Sequence, residues 1–332
     1  MSILRYAIDR ILQTIPVLIG VSLITFLFIN ALPGDVISAL YADQALGEES
    51  IRALEERHGL NESFFERYLS FMAGILQGDL GYSIHYETSV TSLVLTRAGP
   101  TLMLTLSAFA FAIVTAIPLG AIAASRRNQS PDHLSRIVAL FGVSTPSFWV
   151  GIMLIVIFAV TLGWLPSGGL VYPWRAPGHY GFDSQLELYV QTVQSLLLPM
   201  IALGTMQMAM LMRIERSEMV ETLQRDYIQL ARAYGVSERT ILRKHAFREA
   251  QLPIITIVGL NISTALGGSV VIEQVFDING IGKLLLSAIE LRDFQVVTGI
   301  TLVLAAIFVI GVVITDIAYA YIDPRITLDG GE

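Results

Sequence analysis

The chain has 332 residues, of which 54% are hydrophobic and only 15% charged, with a net charge of −7. An ordinary soluble domain carries about 25% charged residues, so the deficit points to a chain that crosses a membrane many times. The negative balance argues against a general nucleic-acid binder, and the absence of cysteine excludes a disulfide framework, a thiolate zinc site and a Cys nucleophile.

A spanning helix needs about 20 apolar residues. Six segments meet that requirement: 11–32, 101–124, 137–162, 196–212, 253–275 and 296–321. The first sits in MSILRYAIDRILQTIPVLIG; its apolar stretch is too long for a cleaved secretion signal and no small-residue cleavage site follows, so it reads as an uncleaved span. Residues 33–99 are acidic, with ten Asp or Glu against four Arg. Within them EESIRALEERHGL and ESFFERYLSFMAGIL have helical periodicity, which predicts a small helical subdomain. The third segment contains Pro146 in STPSFW, and proline removes a backbone hydrogen bond, so a kink is predicted inside that span. A loop rich in Gly, Pro and aromatics, 163–195, leads to the fourth segment.

Orientation follows from Lys and Arg. Most of the 21 basic residues fall at the N-terminus, around Arg126, Arg127 and Arg136, in 213–252, and at Arg325. Both termini and the 213–252 loop are therefore predicted on the cytoplasmic side, and 33–96 and 163–195 outside. The expected division is 1–32 (N-terminus and first span), 33–96 (external helical subdomain), 97–322 (five further helices with a coupling loop at about 213–252) and 323–332 (cytoplasmic tail).

The densest charge lies in RDYIQLARAYGVSERTILRKHAF, 225–247. Residues 214–234 are predicted as one helix, ended by Gly235 as a C-terminal glycine that tolerates positive φ. Ser237 sits at an N-cap position, and ERTILRKHAFREAQ reads as a second helix leading to Leu252-Pro253. Ala231 and Gly235 are four residues apart and share a face where another backbone can approach closely. Arg232, Arg239, Arg243 and Lys244 surround that face. Such an elbow suits docking against another protein; the competing reading is a solvated loop whose arginines only enforce topology.

Other signals are weaker. NGIGK, 279–283, looks like part of a phosphate-binding loop, but Asp277 precedes it and Leu284 follows the lysine, so a turn into an external helix is expected. The five histidines, His58, His85, His133, His179 and His245, lack metal-ligand spacing, and no metal site is expected. No G-x-S-x-G elbow appears. Glu273 and Asp316 lie near the ends of the last two spans, and ionised groups in a bilayer usually face a cavity or a partner. With Asn261 and Ser263 of the fifth span they are the candidate residues of a translocation path. Helix packing is the alternative for Asn261, Ser263 and Thr264, which precede Gly267-Gly268.

The 225–247 stretch resembles the cytoplasmic "EAA" loop of ABC importer permeases, in the form of the dipeptide/oligopeptide/nickel branch. The resemblance rests on Asp226-Tyr227, Ala231-Arg232-Ala233, Gly235 and His245-Ala246. Tyr234 replaces that branch's usual Lys, and the generic E-A-A positions hold Gln229, Leu230 and Ala231. The generic Leu-Pro falls on Phe247-Arg248, ahead of the actual Leu252-Pro253. LPGD (32–35), GDLGYS (78–83), PTLMLTLSA (100–108), VSTPSFWVGIMLIVIFAVTLGWLPSGG (143–169), EQVFDINGIGKLLLSAI (273–289) and YIDPRI (321–326) also look like family signatures, in family order. Asn279 and Val312 depart from a frequent Pro and a frequent Asn.

The resemblance implies an all-α integral membrane protein of the type I importer fold, with six spans. It implies a non-catalytic subunit in a prokaryotic cytoplasmic membrane, importing di- or oligopeptides, with nickel chelates, oligosaccharides and opine-like compounds as alternative cargo. It implies a second homologous permease, two cytoplasmic ATPase subunits carrying ATP and Mg, and an extracytoplasmic binding protein as partners, with no cofactor on this chain. Asp226, Tyr227, Ala231, Arg232, Ala233, Gly235, Ser237 and His245 would form the ATPase-coupling elbow. Two other classes compete: an ion-gradient-driven transporter, which would show paired half repeats, and a membrane enzyme, which would need convergent catalytic residues. Neither signature is visible.

Overall fold

Lipid offers no hydrogen-bond partners, so a chain this apolar satisfies its backbone within helices. The computed structural model describes residues 3–31, 63–83 and 85–322, apart from the side chains at 3–9, 28–31, 252, 256, 259–268, 316 and 318–322. LPGD, EESIRALEERHGL and the end of YIDPRI lie outside the described residues. Helix occupies each of the six predicted segments wherever they are described, except at Thr145, Pro146 and Leu162 of the third. Helix α1 is Ile3–Ala31, and α2, Phe64–Leu76, belongs to the predicted external subdomain. A short antiparallel hairpin, β1 (Tyr82–Ser83) and β2 (Thr88–Ser89), precedes α3, Val90–Ser125. Then follow α4 (Ser130–Ser144), α5 (Ser147–Leu154) and α6 (Gln185–Leu223). Helices α7 (Asp226–Ala233), α8 (Glu238–Thr240), α9 (Phe247–Val275), α10 (Ile281–Glu290) and α11 (Phe294–Ile322) complete the chain.

Among the described residues four helices are long and apolar enough to cross a membrane, and five if α4 and α5, the latter continued by a π-helical stretch Ile155–Thr161, are one bent crossing. The predicted fifth span lies inside α9, part of whose side chains are outside the description. Helices α3 and α6, 36 and 39 residues long, form the axis and pair over most of their length. At about 1.5 Å per residue each exceeds the hydrocarbon thickness of about 30 Å, so their ends project into water.

The core follows α3 from one end to the other. Val90 and Val94 pack with Ile281, Leu284 and Ala288 of α10 and Val296 and Ile300 of α11. Next, Leu104 meets Leu198 and Ala202 of α6 and Ile272 of α9. Ala112 and Ala116 meet Ala139, Leu211, Met212 and Ile254, and Ala124 meets Met219, Ala246 and Ala250. Close approach along the axis depends on small residues. A Cβ on Gly204 would lie 2.7 Å from the Ala108 carbonyl oxygen. Helix α1 packs on α11, and α2 is held to α1 by Phe26 against Phe64, Tyr68 and Phe71 and by a 2.8 Å bond between Ser22 and Tyr68.

Two predicted helices differ in the structure. The third span is not one kinked helix. Thr145 is extended, Pro146 becomes the N-cap residue of α5, and the two halves meet at 105°. A proline inside a helix would also clash with the carbonyl four residues back, and the chain avoids both costs by starting a new helix. The predicted 214–234 helix ends at Leu223; Arg225 is extended and α7 starts at Asp226. Turning there lets Ile228 become fully buried, which a straight continuation into water would forgo.

Replacing Gly204 by Val should force α3 and α6 apart. Overpacking of this kind costs about 1–3 kcal/mol, read as a lowered thermal unfolding temperature in detergent.

Candidate functional site

Helix α7 ends in a two-bond C-terminal motif. The Val236 amide donates to the Ala231 carbonyl at 3.0 Å and the Gly235 amide to the Arg232 carbonyl at 2.9 Å. That motif places Gly235 at φ +77, a conformation that L side chains rarely adopt. Ser237 then caps α8, accepting the Thr240 amide at 3.4 Å and lying 2.9 Å from its hydroxyl. From α8 a π-helical turn, Ile241–Ala246, runs without a break into α9. The predicted second helix is therefore the root of the fifth span itself, and Pro253 lies inside α9.

Cross-links join the two legs of this elbow at three levels. At the tip Arg232 Nε donates to Glu238 Oε1 at 2.6 Å. Midway Arg225 pairs with Glu249 at 2.8 Å and with Glu221 at 3.5 Å. At the root Gln251 Nε2 donates to both oxygens of Glu215, at 3.1 and 2.9 Å. Glu215 is fully buried, in a space that exists because residue 120 on α3 is glycine: a Cβ there would lie 2.7 Å from that of Glu215. Beside it on α6, Arg216 forks onto the buried Asp132 of α4, with its Nη2 at 3.0 Å from Oδ2 and its Nε on Oδ1. Asp132 also takes Arg136 at 2.8 Å and the Asn128 amide at 2.8 Å.

The small face is open. A Cβ on Gly235 would meet nothing within 4 Å, Ala233 is exposed and Ala231 half-buried. Asp226 is exposed and His245 half-buried. Tyr227 is 39% exposed; burial first, and then the Glu249 carboxylate, push its phenol up from the ordinary value. Arg239, Arg243 and Lys244 are exposed and make no ion pair among the described residues, whereas Arg232 is taken by Glu238. Sequence reasoning placed all four cations alike.

At the other end of the molecule, Glu273 is fully buried and closes the N-terminus of α10. It accepts Thr101 Oγ1 at 2.8 Å, Ser269 Oγ at 3.1 Å and the Lys283 amide at 2.9 Å. The glycines of NGIGK make room for it: Cβ atoms on Gly280 and Gly282 would run into its carboxylate. The loop that looked like an anion site holds an anion from its own chain, at a helix end whose free amides favour one. Asn261, Ser263 and Asp316 lie outside the described side chains.

Comparison with known proteins identifies the family. Residues 116–328 match the family described as "Binding-protein-dependent transport system inner membrane component", and residues 3–102 match its N-terminal region. The chain belongs to this family. It is similar to the dipeptide transport system permease protein of Alkalihalophilus pseudofirmus, at 39% identity over 97% of this chain and 99% of the relative. It is also similar to the oligopeptide transport system permease protein of Bacillus subtilis, at 37% over 97% and 98%. The glutathione transport system permease protein of Escherichia coli is 36% identical over 97% and 99%. The chain is thus the permease component of an ABC importer, a non-catalytic inner-membrane subunit that works with a binding protein and separate ATPases. The ion-gradient and enzyme readings fall away.

Within the permease, sequence reasoning missed Glu215, Gln251, Asp132 and Arg216. A lone acid in the basic 126–136 segment and the RIER run at 213–216 were the available signals. Neither says which helix supplies the partner.

Thr101→Val keeps shape but removes the hydroxyl that both donates to Glu273 and accepts the Ile281 amide at 2.8 Å. An unsatisfied buried donor costs about 1–3 kcal/mol, so this permease variant should melt earlier while still inserting.

Proposed function

We propose that the permease forms half of a peptide path and that its 225–247 elbow transmits movement from an ATPase subunit to the spans. The observation that carries this reading is the open Ala231–Gly235 face, presented at the tip of a helical turn that is cross-linked down to its root. A free loop would bend under load. This one is tied at every level, so a push at the tip moves α6 and α9 together. Asp226 and Tyr227 open α7, Arg232 and Ser237 fix the turn, and His245 lies in the π-helical turn that joins the elbow to the fifth span. Exposed Arg239, Arg243 and Lys244 supply charge for acidic groups of the ATPase. ATP and Mg belong to those ATPase subunits. Coupling requires that ATP favour one arrangement of the complex over the other.

The remaining assignments belong to the same proposal. A second homologous permease completes the path. Both termini and the elbow face the cytoplasm; 33–96 and 163–195 face outward. Peptides are the cargo that the names of the related permeases support, ahead of nickel chelates, oligosaccharides and opine-like compounds. Asn261, Ser263 and Asp316 remain the path candidates. The bonds of Glu273 support a different role for that residue, which is to fix α10 against α3 and α9.

Gly235→Val tests the elbow. It forces a β-branched residue to positive φ, at a cost of about 1–3 kcal/mol, and fills the open face. Uptake and transport-linked ATP hydrolysis should fall together while the protein still inserts, measured in cells and in reconstituted complex. Wild-type uptake would refute the coupling role. A reporter fused at Ser237 should behave as cytoplasmic and one at Gly47 as external; the reverse pattern would overturn the orientation. Gentle copurification should recover ATPases, a second permease and a binding protein, and peptides should bind that binding protein.

A further inference from the structure

Helix α4 presents a smooth face to α6. Its buried positions after Asp132 are Ser135, Ala139 and Gly142, spaced along one side. Gly142 fits so closely that a Cβ there would lie 2.6 Å from that of Ala209. Side chains this small let the two helices approach closely, and none of these positions makes a side-chain bond to α6. The exception lies at the start of α4, where Arg216 of α6 holds both oxygens of the buried Asp132. A bidentate Arg–carboxylate fork fixes direction as well as distance. Arg216 is followed by the last two turns of α6 and then by the elbow. At its far end α4 stops at Ser144, where the chain turns 105° into α5.

We propose that the Arg216–Asp132 pair is the positioning link through which movement of the elbow reaches the broken helix α4–α5. The inference rests on the coupling role proposed for the elbow. Its physical content is that α6 and α4 move as one body while the fork holds, and slip past each other along the Ser135–Ala139–Gly142 face when it is removed. Arg136 supplies an internal control. It also bonds Asp132, but from α4 itself, so its loss removes charge-assisted bonds without untying the two helices.

The test uses the complete complex with its ATPases and binding protein in a lipid bilayer, and the lack of native cysteine in this chain allows labels at chosen sites. Spin-label pairs at Tyr234 with Ile289, and at Leu140 with Ile289, report the elbow and α4 against α10; all three positions are exposed. In the wild type both distances should change on adding ATP. In Arg216→Gln the 234–289 change should persist, while the 140–289 population shift should fall about tenfold, within the range that coupling between sites covers. Arg136→Gln should behave as wild type. Should Arg216→Gln fail to assemble, Arg216→Lys takes its place, keeping the charge and losing the fork, with a partial loss at 140–289. A full 140–289 response in the Arg216 variant, or equal losses in the Arg216 and Arg136 variants, would overturn the link alone. Absence of any ATP-dependent change at 234–289 in the wild type would overturn the elbow's role and the link with it.

Discussion

A backbone amide inside hydrocarbon has no water to bond, and each unsatisfied group there costs several kcal/mol. That constraint decides where this chain can stop being helical. Among the described residues, three interruptions show protein or solvent supplying the missing partners. The α4–α5 break lies at a proline, where one donor is absent already. The turn between α9 and α10 is closed by a buried carboxylate that takes up an amide of the new helix. The elbow breaks helix in a densely charged stretch and recovers free carbonyls through the bonds of Gly235 and Val236. Three unlike stretches of sequence are answers to one requirement.

Once the backbone is satisfied, little hydrophobic force remains between helices, because lipid tails are as apolar as leucine. Attraction then comes from close contact and from polar bonds. Glycines at 120, 142 and 204 provide the first; each stands where a Cβ would enter another helix. Glu215, Asp132 and Glu273 provide the second, and all three are fully buried. Only Asp132 among them sits in an ion pair, where removing one partner costs about 3–5 kcal/mol because a charge is left behind; Glu215 and Glu273 are held by neutral donors. These acids act as rivets between helices whose other contacts are smooth.

The helices were legible because periodicity and apolar length are local properties. Gly235 as a helix stop and Ser237 as a cap were legible for the same reason: a cap is decided within a few residues. Pro146 announced a disturbance but not its size, because whether a proline kinks or ends a helix depends on what the next segment can bury. Asp132 and Arg216 are 84 positions apart, and Glu215 and Gln251 are 36 apart. No spacing rule reaches across such distances, and an acid among arginines reads as compensation until the helix opposite is known. NGIGK reads in the sequence as a turn into a helix, and α10 starts there; what the sequence does not show is the group that its glycines make room for. Its glycines are placed as an anion would require, and the anion proves to be Glu273, which sequence order puts before the loop.

The elbow's cross-links are graded, and the grading suits a lever. At the tip Arg232 and Glu238 are 41% and 61% exposed, and pairs so exposed are worth about 0–1 kcal/mol. Such a link orients the turn but yields when a partner's surface presses on it. Midway, Arg225 divides itself between two acids that are themselves well exposed. Only at the root are the groups buried, with Glu215 out of solvent altogether and Arg216 17% exposed against a fully buried Asp132. Low dielectric strengthens those bonds and makes an unpaired partner costly. In the proposed coupling role, a rod that is soft at its tip and stiff at its base would adapt to the surface that pushes it without losing displacement on the way down. The same gradient in the opposite order would fit its partner rigidly and dissipate the movement before it reached the spans.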